Sequence, residues 1–77
     1  MNVIREHDTV VLTRDLPARG LFRGDVGAVV HVYGDGAALE VEFVAGSGAT
    51  VAVETLRAED VRPLGREEIL HARVLAA

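Results

Sequence analysis

Cysteine, tryptophan and lysine are missing from these 77 residues, and phenylalanine and tyrosine together make up only 4% of them. Without cysteine there can be neither a disulfide nor a thiolate metal ligand. Without lysine there is no Gly-Lys phosphate loop. Serine occurs once, at Ser47 between two glycines, and no base is implied nearby. A nucleophile needs a base within reach and that base an orienting group, so covalent catalysis finds no footing and no enzyme is expected. Positive charge is also short: 8 basic side chains, all arginine, stand against 12 acidic ones, for a net charge of -4. Phosphate contacts supply most non-specific affinity for nucleic acids, so this balance argues against such a partner. No apolar run approaches the roughly 18 residues of a membrane span, and nothing at the N-terminus has the order of a signal peptide. The expected compartment is therefore the cytoplasm, with no membrane partner.

What is present is a chain 49% hydrophobic and rich in valine. A core of small and β-branched side chains at this size supplies only about 3 to 5 kcal/mol. A protein partner or homo-oligomer is the natural supplement, and no cofactor is implied. Thr9 to Thr13 reads as a first strand, followed by a turn-rich stretch, Arg14 to Asp25, punctuated by Pro17, Gly20 and Gly24. Val26 to Tyr33 and Ala38 to Val44 are joined through Asp35-Gly36, a strong hairpin signal. Thr50 to Leu56 and a short Val61 to Leu64 complete five strands. The expected fold is all-β, a small five-stranded SH3-like barrel over 1–64, with a short C-terminal helix over 65–77 packed on the barrel or on a partner.

Register follows from parity, because a slip of one residue moves a strand's apolar set to the other face. A loop at Asp35-Gly36 sets Val32 against Leu39, Val30 against Val41 and Ala28 against Phe43. A three-residue loop at Gly46 to Gly48 sets Phe43 against Val51 and Val41 against Val53. A four-residue loop there would place Glu54 opposite Val41 and is rejected on that ground. The outer face then carries a row of His31, Glu40 and Glu54. Val29 and Ala52 flank Glu42, and Tyr33, Ala38 and Leu56 form a second row.

The residues Asp15-Leu16-Pro17, Gly20-Leu21, Arg23-Gly24-Asp25-Val26-Gly27, Val30, Val32-Tyr33-Gly34-Asp35-Gly36 and Glu40-Val41-Glu42-Phe43 resemble a small bacterial family, domain-of-unknown-function family 4926. The similarity spans about Val10 to Pro63. It implies an SH3-like barrel and no activity, and it leaves the segment from Gly65 onward unexplained.

Three functions are open to such a chain. The first is a non-enzymatic protein-interaction module, of the antitoxin- or immunity-like kind that binds a neighbouring gene product. Its docking residues would be Val29, His31, Tyr33, Glu40, Glu42, Glu54 and Leu56, with Ile69, Leu70 and Val74 on the tail helix. An apolar border around acids marks such a surface, and the acids steer a basic partner. The second follows from Gly24-Asp25-Val26-Gly27, which resembles the turn of KOW-type elements; Arg14, Arg19, Phe22 and Arg23 would then contact RNA or a ribonucleoprotein. The plainer reading of those glycines is a positive-φ turn and a close strand approach. The third is a metal held by His31, Glu40 and Glu54, since imidazole and carboxylates suit several divalent ions. A solvated acidic face is the simpler account of that row, so no metal is assigned.

Overall fold

Valines and threonines between glycine turns make strands because their branched side chains fit a pleated, half-buried surface. The computed structural model describes residues 3–75; the remaining ends of the two assigned spans, 1–2 and 76–77, lie outside the described residues. The strands are β1 (Thr9–Leu12), β2 (Val26–Tyr33), β3 (Ala38–Val44), β4 (Thr50–Arg57) and β5 (Val61–Pro63). They form one antiparallel sheet in the order β4-β3-β2-β1-β5. No ladder joins β4 to β5, so the sheet is not closed as a barrel. It nevertheless curls, because Leu56 of β4 and Val61 of β5 share one core cluster with Val10, Leu12, Leu21, Val29, Leu39, Val41 and Phe43.

The turn-rich stretch between β1 and β2 is ordered by local bonds. Pro17 opens a short 3-10 turn, Pro17–Arg19, and Gly20 ends it in the left-handed region at φ 69. Leu16 and Leu21 pair across this turn, which carries Leu21 into the core. A second 3-10 turn, Ala58–Asp60, links β4 to β5.

Two register shifts overturn most of the expected pairings. Val32 does face Leu39, and His31 faces Glu40. Beyond that point Val29, rather than Val30, pairs with Val41, and Ala28 pairs with Glu42. The extra residue, Val30, is pushed outward, as a bulge requires when two residues oppose one. A second irregularity at Phe43/Val44 sets Phe43 against Ala52 and Val41 against Glu54, the pairing that parity had rejected. Val29 and Leu56, expected on the outer face, are therefore in the core, at 0% and 5% exposure.

The C-terminal helix is absent: one turn forms at Gly65 to Glu68, and 68–75 contains neither helix nor strand. A helix this short is marginal without packing. The tail is held instead by side-chain contacts, Glu68 with Arg62 of β5 and Arg73 with Asp25 in the loop before β2. No helix among the described residues is long and apolar enough to cross a membrane.

Candidate functional site

The outer face of β2, β3 and β4 carries three cross-strand rows, set by the observed register. They are His31, Glu40 and Thr55; Ala28, Glu42 and Val53; and Tyr33, Ala38 and Arg57. Glu40 organises the middle of this face. Its carboxylate accepts hydrogen bonds from the Tyr33 hydroxyl at 3.3 Å and from the Thr55 hydroxyl. The negative charge of Glu40 beside it raises the Tyr33 pKa above its ordinary 10.0. Glu42 accepts from the Thr50 hydroxyl at 2.7 Å. The His31 ring meets Tyr33 edge-on at 4.5 Å, and its Nδ1 stands 3.4 Å from Glu6. Val30, Tyr33 and Val53 remain 41 to 49% exposed around these acids.

Glu54 does not belong to that face. It points inward, its side chain 15% exposed, with an oxygen 3.4 Å from Arg19 Nε. The ion pair explains how the sheet tolerates a carboxylate opposite Val41, since a half-buried charge needs a partner. His31, Glu40 and Glu54 therefore do not converge, and no group of three metal-ligating side chains occurs among the described residues.

The residues suggested for RNA are largely engaged with the protein itself. Arg14 Nε donates to Asp60 at 2.8 Å, and Arg19 is held by Glu54. The Phe22 ring lies under the Arg73 guanidinium, 5.0 Å from its centroid. Of the four, only Arg23 is a cation whose side chain takes no ion pair among the described residues.

The second candidate surface surrounds the tail. Two arginine-carboxylate pairs of opposite polarity fasten it. Arg62 of β5 donates two bonds to Glu68, at 2.6 and 2.8 Å, and the Gly65 N–H donates to the same carboxylate. Arg73 donates two bonds to Asp25, at 2.8 and 2.6 Å, and one to the Gly20 carbonyl at 2.9 Å. Between tail and sheet lies a groove of about 660 Å³, lined by Leu21, Val26, Phe43, Val44 and Val51 on the sheet side and by Leu70, Val74 and Leu75 on the tail. Ile69 and Val74, expected on a helix face with Leu70, are 93% exposed.

The Arg62 bond, and next the Gly65 N–H, hold the Glu68 carboxyl down to about 2 from its ordinary 4.5. A depressed folded value stabilises the turn fully above 4.5, and that contribution fades as pH falls towards about 2. A carbon-detected NMR titration of Glu68 should therefore show a midpoint near the lower figure, and Arg62→Ala should move it upward. A midpoint unchanged by that substitution would remove the tether.

Local patterning hinted at some of this arrangement. The alternation of β2 fails at the doublet Val29-Val30, where the bulge sits. Asp25 is fixed by its own turn, accepting the Phe22 N–H at 2.8 Å. Nothing local to Arg73 signals a partner 48 residues away.

A family model described as Domain of unknown function (DUF4926) matches residues 6–63, which leaves the tail outside the matched region. No curated protein and no solved structure matches the chain.

Proposed function

We propose, for a chain that belongs to the DUF4926 family, that it is a non-enzymatic protein-interaction module. The observation that carries this reading is the apolar surface left open. Val30, Tyr33 and Val53 border the Glu40 and Glu42 carboxylates, and Ile69 and Val74 on the tail are 93% exposed. Exposed apolar side chains around charged ones suit a docking surface, with burial giving affinity and charge giving orientation. The curled sheet, with its two edge strands sharing a core, supports an SH3-like barrel whose edges remain unjoined. Its partner on the outer face is a protein with basic groups complementary to Glu40 and Glu42, as an antitoxin- or immunity-like protein would bind in the cytoplasm.

RNA is the weaker partner in this reading, because Arg14, Arg19 and Phe22 are already engaged. The test is copurification of the full chain from its native cell, with crosslinks mapped onto the sheet. Crosslinks should fall on the β2-β3-β4 face, and Val53→Glu should lose the partner while keeping the wild-type melting temperature. Equal recovery with Val53→Glu would overturn the outer-face reading. RNA recovered at low salt and released by added salt would favour the KOW-like alternative.

A further inference from the structure

We propose that the open edge of β4 takes an extended strand of the partner protein, and that this strand carries arginine or lysine at two positions separated by one residue, opposite Val53 and Thr55. The proposal deepens the interaction reading above and rests on it.

The two edges of the sheet differ in what they offer. β5, at one end of the strand order, is three residues long and includes Pro63, so it is a poor template for another strand. β4, at the other end, runs for eight residues without proline or lysine. In an antiparallel ladder every second residue turns its N–H and C=O away from the neighbouring strand. Between Val51 and Leu56 those outward groups take no backbone partner among the described residues, and the tail runs past Val51 without a backbone bond to β4. Val53, near the middle of the strand, is 49% exposed. An extended row of unpaired donors and acceptors is complemented by another extended strand, whose main chain then supplies the affinity.

The acids beside this edge define the strand's side chains. Glu42 and Glu40 of β3 pair with Val53 and Thr55, and each carboxylate is bonded to a hydroxyl of β4, Glu42 to Thr50 and Glu40 to Thr55. Both charges are thereby fixed next to the open edge. Neither takes an ion pair among the described residues, and Arg57 of β4 is paired with Glu59 instead. An added strand lies about 5 Å beyond β4 and about 10 Å beyond β3. Its residues opposite Val53 and Thr55 share the outer face with Glu42 and Glu40. A long basic side chain can lay its stem over β4 there and bring its charge to the carboxylate. The residues between them face the core side, beside Ala52 and Leu56, where apolar side chains fit. Glu54 on that side is already paired with Arg19. Charge also decides against a second copy as occupant. β4 has a single basic residue, Arg57 at its end, and cannot supply two cations at alternate positions to another β4.

The probe is a synthetic hexapeptide with blocked ends, Thr-Arg-Val-Arg-Val-Thr, added to the full chain and followed by amide hydrogen exchange. Alternate amides between Val51 and Leu56 should exchange rapidly in the free protein. With peptide at ten times its Kd they should slow by about tenfold, because exchange then draws on the unbound fraction. Glu40→Gln and Glu42→Gln should each weaken binding by up to about fivefold, the upper range for an exposed ion pair, and reduce its salt dependence. Two further peptides, N-methylated at one or the other set of alternate residues, separate backbone pairing from simple charge attraction. One should bind as the parent does and the other should fail; equal behaviour of the two counts against pairing.

A parent peptide that changes no β4 amide would refute the edge site. If the Val30 and Tyr33 signals shift all the same, the outer-face reading stands without it. A chain that dimerises and protects the same amides before peptide is added would assign the edge to a second copy and sink the basic strand. The outer-face reading falls separately, if Val53→Glu retains the native partner.

Discussion

Replacing Gly27 with alanine lowers stability by about 1 to 3 kcal/mol, the usual range for forcing an extra methyl group into a filled core. A Cβ at this position would lie 2.7 Å from Val41 Cγ1, 2.9 Å from Phe43 Cε1 and 3.0 Å from the Glu42 carbonyl. Val41 and Phe43 are 0% and 3% exposed, so neither has open space into which to retreat. The carbonyl belongs to β3, where Glu42 pairs with Ala28, and moving it strains that ladder. Alanine also restricts the unfolded chain, a gain of about 0.4 to 1 kcal/mol that the clash outweighs. Urea unfolding should show a lower midpoint with an unchanged slope. Gly46→Ala is the matched control, since a Cβ there meets nothing within 4 Å. A Gly27→Ala protein as stable as the control would refute the close-approach account.

Asp60 is the second position where a small change has a large effect. It is 7% exposed, the buried charged residue of the core region. Its carboxylate accepts from Arg14 Nε at 2.8 Å and from the Arg57 N–H at 3.1 Å, while its carbonyl accepts the Thr13 N–H at 2.9 Å. One residue, through its side chain and its carbonyl, thus ties the chain just after β1 to the turn between β4 and β5. Asp60→Ala takes the charged acceptor from the part-buried Arg57 N–H, and a hydrogen bond to a charged group contributes about 1.5 to 3 kcal/mol. Asp60→Asn should cost less, because its amide oxygen can still accept from Arg57.

The same site gives a pH dependence with a definite sign. The Arg14 hydrogen bond, with help from Arg57 and against the opposing effect of burial, holds the Asp60 carboxyl below its ordinary 3.8. A depressed folded value contributes fully above the unfolded value and is lost as pH falls through the folded one. Asp60→Asn has no such contribution to lose. The stability gap between wild type and Asp60→Asn should therefore be widest near neutral pH and close progressively below 3.8. Asp25 and Glu68 titrate in both proteins, so the difference isolates Asp60. A gap constant from neutral pH to well below that value would exclude the charged pair as its source.

Most of the strands could be read from the chain. Val26–Tyr33 and Ala38–Val44 have their expected bounds, and His31 faces Glu40, because alternation and the Gly-Asp-Gly turn are local signals. The long stretch before β2 is likewise punctuated where its proline and glycines predict. Of the residues expected on the outer face, Tyr33, His31, Glu40 and Glu42 lie there, while Val29 and Leu56 went to the core and Glu54 turned to Arg19. Parity counting assumes unbroken ladders, and each bulge resets it.

What the sequence determined by itself was therefore the strands and the first pairings beside the Asp35-Gly36 turn, where the residues that interact are neighbours along the chain. The tertiary structure decided the bulge at Val30, the inward turn of Glu54 and the path of the tail. Each depends on groups far apart in sequence: Val29 exchanging backbone bonds with His7 and Asp8, Glu54 meeting Arg19, and Arg73 reaching Asp25. The tail shows the reason most plainly. Its spacing allowed a helix, but a short helix has little stability of its own, and a fixed carboxylate on the far side of the turn offered Arg73 paired, charge-assisted hydrogen bonds.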